Sequence, residues 1–134
     1  MTQFNLASDA RANGTGRVSE IIASPAALVA AFGAPGEADG YKVSGHYVFA
    51  NDEGEVFTVY DWKMTSLYEA GNPSPGEFWN RDEPIQFNIG GKGGSGEFEE
   101  WLQEEIGRNN LRAIQKRNAE RMEEFTESVE QEGR

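Results

Sequence analysis

Residues 108–121 carry Arg108, Arg112, Lys116, Arg117 and Arg121 against Glu120 alone, in a chain of formal net charge −11. Arg112 and Lys116 stand one helical turn apart, and Arg108 sits just before the start of the helix predicted there. That spacing would present a fork of charged donors to phosphate oxygens. The flanks are acidic, with five Glu and no base in 97–105 and a second acidic run over 123–132. A solvated face is the competing account, in which Lys116–Glu120 and Arg121–Glu124 pairs contribute only ~0.3–0.5 kcal/mol each.

Two further patterns bear on anion binding. Gly91-Lys92-Gly93-Gly94-Ser95-Gly96 satisfies G-x-G-x-x-G and lies between a predicted strand and a predicted helix, where free amides and Lys92 could meet a phosphate. Its context is poor, since no βαβ unit surrounds it and Glu97, Glu99 and Glu100 would repel an anion. A flexible connector explains the glycines as well. Tyr60-Asp61-Trp62-Lys63-Met64-Thr65 sets aromatics beside one acid and one base. Trp62 or Trp79 could stack on a base while Lys63 meets a phosphate, although a core role is the default for both tryptophans.

Catalytic and metal chemistry find no comparable support. His46 is the only histidine, and there is no cysteine, so thiolate zinc sites and cysteine nucleophiles are excluded. Asp52, Glu53 and Glu55 lack the spacing of an EF-hand loop. No motif asks for a cofactor, and no carboxylate pair is marked out. The residues proposed to bind ligand are therefore Arg108, Arg112, Lys116, Lys92, Trp79 and Trp62, with no catalytic or metal assignment.

The 134 residues suffice for one domain, and 37% hydrophobic content with eight Phe, four Tyr and three Trp supplies a core. The acidic balance argues against direct nucleic-acid binding. The longest apolar run, 25–32, is too short to span a bilayer, and no signal-peptide pattern precedes it.

These residues must be positioned by an α+β fold: an antiparallel sheet of four or five strands, one early helix and a C-terminal helical pair. Residues 1–16 read as a flexible N-terminal arm, 17–94 as the sheet core with short helices, and 95–134 as C-terminal helices. Strands are predicted over 18–23, 41–50, 55–62 and 84–89, with a short strand or turn at 65–68. Asn51-Asp52-Glu53-Gly54 forms the hairpin loop. Trp62, at the end of a strand apolar on both faces, is expected to be buried.

Ser24-Pro25 starts the early helix, and Ser74-Pro75-Gly76-Glu77 fits a capping box before Phe78 and Trp79. In the tail, Phe98, Trp101, Leu102 and Ile106 share one face. Leu111, Ile114, Asn118, Met122, Phe125 and Val129 form another stripe, interrupted by one polar residue. The two faces mismatch, so a break is predicted near Gly107 and Asn109-Asn110. The second stripe needs a cover, which packing on the sheet would provide, as would a homo-oligomer formed through the same helix of a second subunit.

The segments Phe32-Gly33-Ala34-Pro35, Asp39-Gly40-Tyr41-Lys42-Val43-Ser44, Val56-Phe57-Thr58-Val59-Tyr60-Asp61-Trp62-Lys63 and Ile89-Gly90-Gly91 resemble small proteins of tailed bacteriophages. The resemblance covers about 24–106 and brings no catalytic residues. It implies a non-enzymatic accessory protein that counters host antiviral defence by binding, in the host cytoplasm. Its outline is similar to phage sponges that sequester nucleotide signals, which implies a phosphate-bearing nucleotide-type partner. The alternatives are an acidic nucleic-acid mimic that occupies a host defence protein, as anti-CRISPR or anti-restriction proteins do, or a minor virion component.

Overall fold

The computed structural model describes residues 3–36 and 39–132, apart from the side chains of 9, 10, 113 and 124–132. In chain order its elements are β1 (Asn5–Leu6), a 3-10 turn (Asp9–Ala12), β2 (Gly16–Ala23), α1 (Pro25–Phe32), β3 (His46–Ala50), β4 (Val56–Tyr60), α2 (Pro75–Trp79), β5 (Ile85–Gly91) and α3 (Gly96–Glu132). The strands form one antiparallel sheet of order β1-β3-β4-β5-β2. The fold is α+β. Among the described residues no helix is long and apolar enough to cross a membrane.

Local sequence chemistry sets these elements. Ser24 Oγ accepts from Ala27 N at 3.1 Å and Pro25 opens α1, which stops at Gly33 with φ of 84°. Ser74 Oγ accepts from Glu77 N to start α2. Asn51 Oδ1 takes the amides of Glu53 and Glu55, closing the β3–β4 hairpin over Asn51-Asp52-Glu53-Gly54.

Side chains alternate across the sheet. Ile21, Tyr47, Phe49, Phe57, Val59, Phe87 and Ile89 pack in the core with the helices, where α1 also packs on α3. Phe57 and Phe98 stack 4.9 Å apart, and Phe4 and Trp101 close around them. Gly90 and Gly91 belong to this packing. A Cβ at Gly91 would stand 2.8 Å from the Phe57 ring, and one at Gly90 would collide with Thr58 Oγ1.

Three expectations need correction. Residues 3–16 are not a free arm: Phe4 is buried in the core, β1 pairs with β3, and the 3-10 turn packs on β3 and β4 before β2 joins the opposite edge. The one large apolar side chain at Phe4 outweighs the polar composition around it. Residues 1 and 2 of that segment lie outside the described residues.

The helical pair is one continuous helix. Gly107 has open space around it and costs a helix only about 1 kcal/mol relative to Ala. The mismatch of its two faces is resolved by exposure, because every described side chain from 110 to 123 is exposed.

The strands at 41–50 and 55–62 are shorter than their apolar patterns. Asp39 Oδ1 captures the amides of Tyr41 and Val43, and Asp61 those of Ser44 and Gly45, so these amides are withdrawn from a ladder.

Candidate functional site

The loops that displace those strand ends build one corner of the molecule. Asp61 is fully buried at the end of β4, and its carboxylate accepts from Ser44 N, Ser44 Oγ and Gly45 N at 2.8–3.1 Å. Burial pushes the Asp61 carboxyl above its ordinary value, against the downward pull of those donors. Asp39 is held below its ordinary value by the amides of Val43 and Tyr41. Trp79 Nε1 donates to Ser44 Oγ, fastening the 39–45 loop to the core.

Immediately after Asp61 the chain turns sharply. Lys63 adopts φ of 61°, making it the single non-glycine residue with positive φ among those described. Its amide donates to the Lys42 carbonyl at 2.6 Å, and its own carbonyl accepts from Asn72 Nδ2 at 3.2 Å. A strained, multiply tied backbone of this kind is over-represented where side chains are held for a purpose.

The effect is to gather cations and aromatic rings that sequence separates. Lys42 Nζ and Lys63 Nζ each lie 5.7 Å from the Trp62 ring centroid, and Lys63 Nζ also lies 5.1 Å from that of Tyr68. Tyr41 packs on Tyr68 at 5.3 Å, and Tyr60 meets Trp62 edge-on at 6.5 Å. Trp62 is 43% exposed and Tyr41 52%.

Trp62 also walls an open groove of about 400 Å³ on the outer sheet face, with Arg17, Tyr60, Gln86 and Asn88. Arg17 reaches Asn88 Oδ1 and Glu20, and Gln86 Nε2 donates to Glu20 at 2.7 Å. The groove has the size of a small-ligand site, which typically spans ~300–1,000 Å³. A ring can offer a stacking face to a planar ligand while ammonium and guanidinium groups meet anionic oxygens.

The residues predicted to bind ligand are not brought together. Trp62 is at this corner and is not a core residue as expected, because two residues beyond Tyr60 it lies on the outer face with that ring, past the end of β4. Trp79 is 8% exposed and packs against Tyr47, Phe78 and Phe87, so it supports the corner from within and offers no stacking face. Lys92 lies at the opposite end of the sheet, in a groove with Gly54, Glu55 and Phe57. The neighbouring Gly90 and Gly91 serve sheet packing, whereas Gly93, Gly94 and Gly96 have open space around them.

Arg108 pairs with Glu105 on the same helix. Arg112 and Lys116 follow on the exposed length of α3, beyond the groove that Gly107 and Asn110 share with Ile22 and Pro84. Because α3 is unbroken, no second helix N-terminus exists to supply the amides expected beside Arg112.

Arg17, Tyr41, Lys42 and Tyr68 escaped the sequence reading. The bond from Lys63 N to Lys42 O is non-local, and nothing in the linear order pairs those residues. The usable signal was the presence of two anchoring carboxylates, exposed Asp39 and buried Asp61, beside aromatic and basic residues. His46 is half-buried on β3, joined to Gly36 by two backbone hydrogen bonds. Among the described residues no group of His, Asp and Glu could hold a metal ion.

No protein-family model matches this chain, and no curated protein matches it.

Proposed function

We propose that this chain is a non-enzymatic binding protein that takes a phosphate-bearing, nucleotide-type ligand at the Trp62 corner. On this reading it serves a phage in the host cytoplasm by sequestering a nucleotide signal of antiviral defence. The observation that carries the ligand class is the half-exposed Trp62 ring flanked by Lys42 and Lys63, beside a groove with Arg17 on its wall. Stacking on a base is worth ~1–3 kcal/mol and tolerates any base, while the phosphate contacts make binding salt-dependent. The anti-defence role rests on the resemblance to tailed-phage proteins.

A thermal-shift panel of cyclic dinucleotides, ADP-ribose derivatives and mononucleotides tests this reading. At least one ligand should raise the melting temperature, since whatever binds only the native state stabilises it. Trp62→Ala and the double variant Lys42→Ala with Lys63→Ala should each abolish that shift. Trp62→Ala should itself cost under about 1 kcal/mol of stability, as befits a residue outside the core. A flat response across the panel, or a shift that survives Trp62→Ala, overturns the assignment.

A second reading draws on the opposite end of the sheet, where Glu53, Glu55 and Glu97 gather around one groove with Phe4 and Phe98. With the net charge of −11, this end fits an acidic decoy for a host nucleic-acid-binding protein. Capture of such a protein should then fall steeply with added salt and be indifferent to Trp62→Ala.

A further inference from the structure

The groove beside Trp62 is walled by Arg17, Tyr60, Gln86 and Asn88, whereas Lys42 and Lys63 lie over the Trp62 ring and do not line it. Register explains the grouping. Gln86 and Asn88 are two apart on β5, so both side chains leave the outer face, about 7 Å apart along the strand. Asn88 is paired across the sheet with Glu20 on one side and Tyr60 on the other.

Chemistry then fixes which end of each amide is occupied. A guanidinium only donates and a carboxylate only accepts. Arg17 Nε donates to Asn88 Oδ1 at 3.3 Å, so Asn88 keeps its NH2 group for another partner. Gln86 Nε2 donates to Glu20 Oε2 at 2.7 Å, so Gln86 keeps its carbonyl. Glu20 Oε2 also accepts from Arg17 Nη2, which closes the circuit and balances the Arg17 charge. The wall of the groove therefore offers one neutral donor and one neutral acceptor beside a stacking ring.

An anion gains little from such a wall. A planar ring edge with an acceptor next to a donor gains two hydrogen bonds, and nucleobases carry that pair; Asn and Gln amides read adenine in this way. Phosphate oxygens are then left to the ammonium groups of Lys42 and Lys63.

We infer that Gln86 and Asn88 read the base of the ligand. Asn88 Nδ2 donates to a ring acceptor, and Gln86 Oε1 accepts from the neighbouring N–H. Arg17 and Glu20 are positioning residues that hold the two amides in these orientations. The ligand lies with its base over the sheet groove and its phosphates toward Lys42 and Lys63. This rests on nucleotide binding at Trp62 and adds that the base is recognised by its hydrogen bonds as well as stacked.

AMP and purine riboside 5′-monophosphate test it in the full-length protein. They share a phosphate and a ring system, and differ in the exocyclic amine that would donate to Gln86. Titration calorimetry should give AMP the lower Kd by roughly two- to tenfold, the worth of one net hydrogen bond. In Gln86→Leu the two should bind alike, at the weaker affinity. Glu20→Ala should shrink the AMP preference, a ratio from which any general change in phosphate attraction cancels. Asn88→Asp keeps the acceptor that Arg17 uses but removes the donor, and should weaken both probes.

Equal affinities in the wild type, a preference that survives Gln86→Leu, or an Asn88→Asp variant that binds AMP as tightly as the wild type overturns the inference. If AMP does not bind while another phosphate-bearing ligand acts through Trp62, base reading fails and the Trp62 site stands. If no ligand acts through Trp62, both fail.

Discussion

Two aromatic clusters of this protein are built from the same residue types and behave as opposites. The inner one, around Phe49, Phe57, Phe98 and Trp101, excludes water, and its rings meet at centroid separations of 4.9–6.1 Å. The outer one, around Tyr41, Trp62 and Tyr68, is interleaved with Lys42 and Lys63 and half open to solvent. What separates them is the backbone beneath. The inner rings hang from regular strands and from the first turns of α3, whose periodicity points them inward. The outer rings hang from the segments at and beyond the strand ends, where Asp39 holds the Tyr41 amide, Tyr68 N donates to the Thr65 carbonyl and Trp62 stands just past β4. Apolar content alone therefore does not distinguish a core from a site; the hydrogen bonding of the supporting chain does.

The largest effect expected from that contrast is in the inner cluster. Phe98 is fully buried against Phe4, Phe49, Phe57 and Trp101, so Phe98→Ala should cost about 3–5 kcal/mol in denaturant unfolding. A cost like that of a surface substitution would mean the two clusters are not different in kind.

Asp61 comes next, because it joins the clusters. Asp61→Ala leaves the Ser44 and Gly45 amides and the Ser44 hydroxyl without their acceptor, at roughly 3 kcal/mol in all. The pH dependence has a definite sign. The folded-state pKa of Asp61 is raised, so its contribution to stability is fully present below the ordinary carboxylate pKa and is lost as pH rises through the raised one. Asp39 is lowered, so its contribution is present above the ordinary carboxylate pKa and lost as pH falls through the lowered one. Urea midpoints across pH should therefore lose opposite limbs in Asp61→Ala and Asp39→Ala. Identical profiles in the two variants would contradict this division of roles.

The same division decides what was legible in the sequence. The apolar residues on both faces of 55–62, the Asn51 to Gly54 turn and the Ser-Pro helix starts are local signals, and local hydrogen bonds realise them. Phe4 was not legible, because one apolar residue in a polar stretch acquires meaning only from the distant Phe57, Phe98 and Trp101. The continuity of α3 was hidden by a real conflict between its two apolar faces, and among the described residues Leu111 and Ile114 of the second face are exposed. Trp62 was assigned to the core because its strand pattern is apolar on both sides. It stands instead with Tyr60 on the outer face, past the end of β4, where the chain turns at Lys63, a residue type that carries no turn signal.

That turn supplies the smallest and most discriminating test. Lys63 both holds a left-handed backbone conformation and places its ammonium beside Trp62 and Tyr68. For a residue with a Cβ the left-handed conformation costs about 1 kcal/mol, whereas glycine adopts it freely. Lys63→Ala keeps the strain and loses the charge, and Lys63→Gly loses both. Each variant forfeits the same cation–ring attraction, so the difference between them isolates the backbone. Lys63→Gly should be the more stable of the two by about 1 kcal/mol, while both should weaken a phosphate-bearing ligand to the same extent. Equal stabilities would show that the corner is not strained, and the outer cluster would then be an ordinary surface loop. A glycine variant that is more stable yet binds less well would show stability given up at this corner to hold a charge beside an exposed ring.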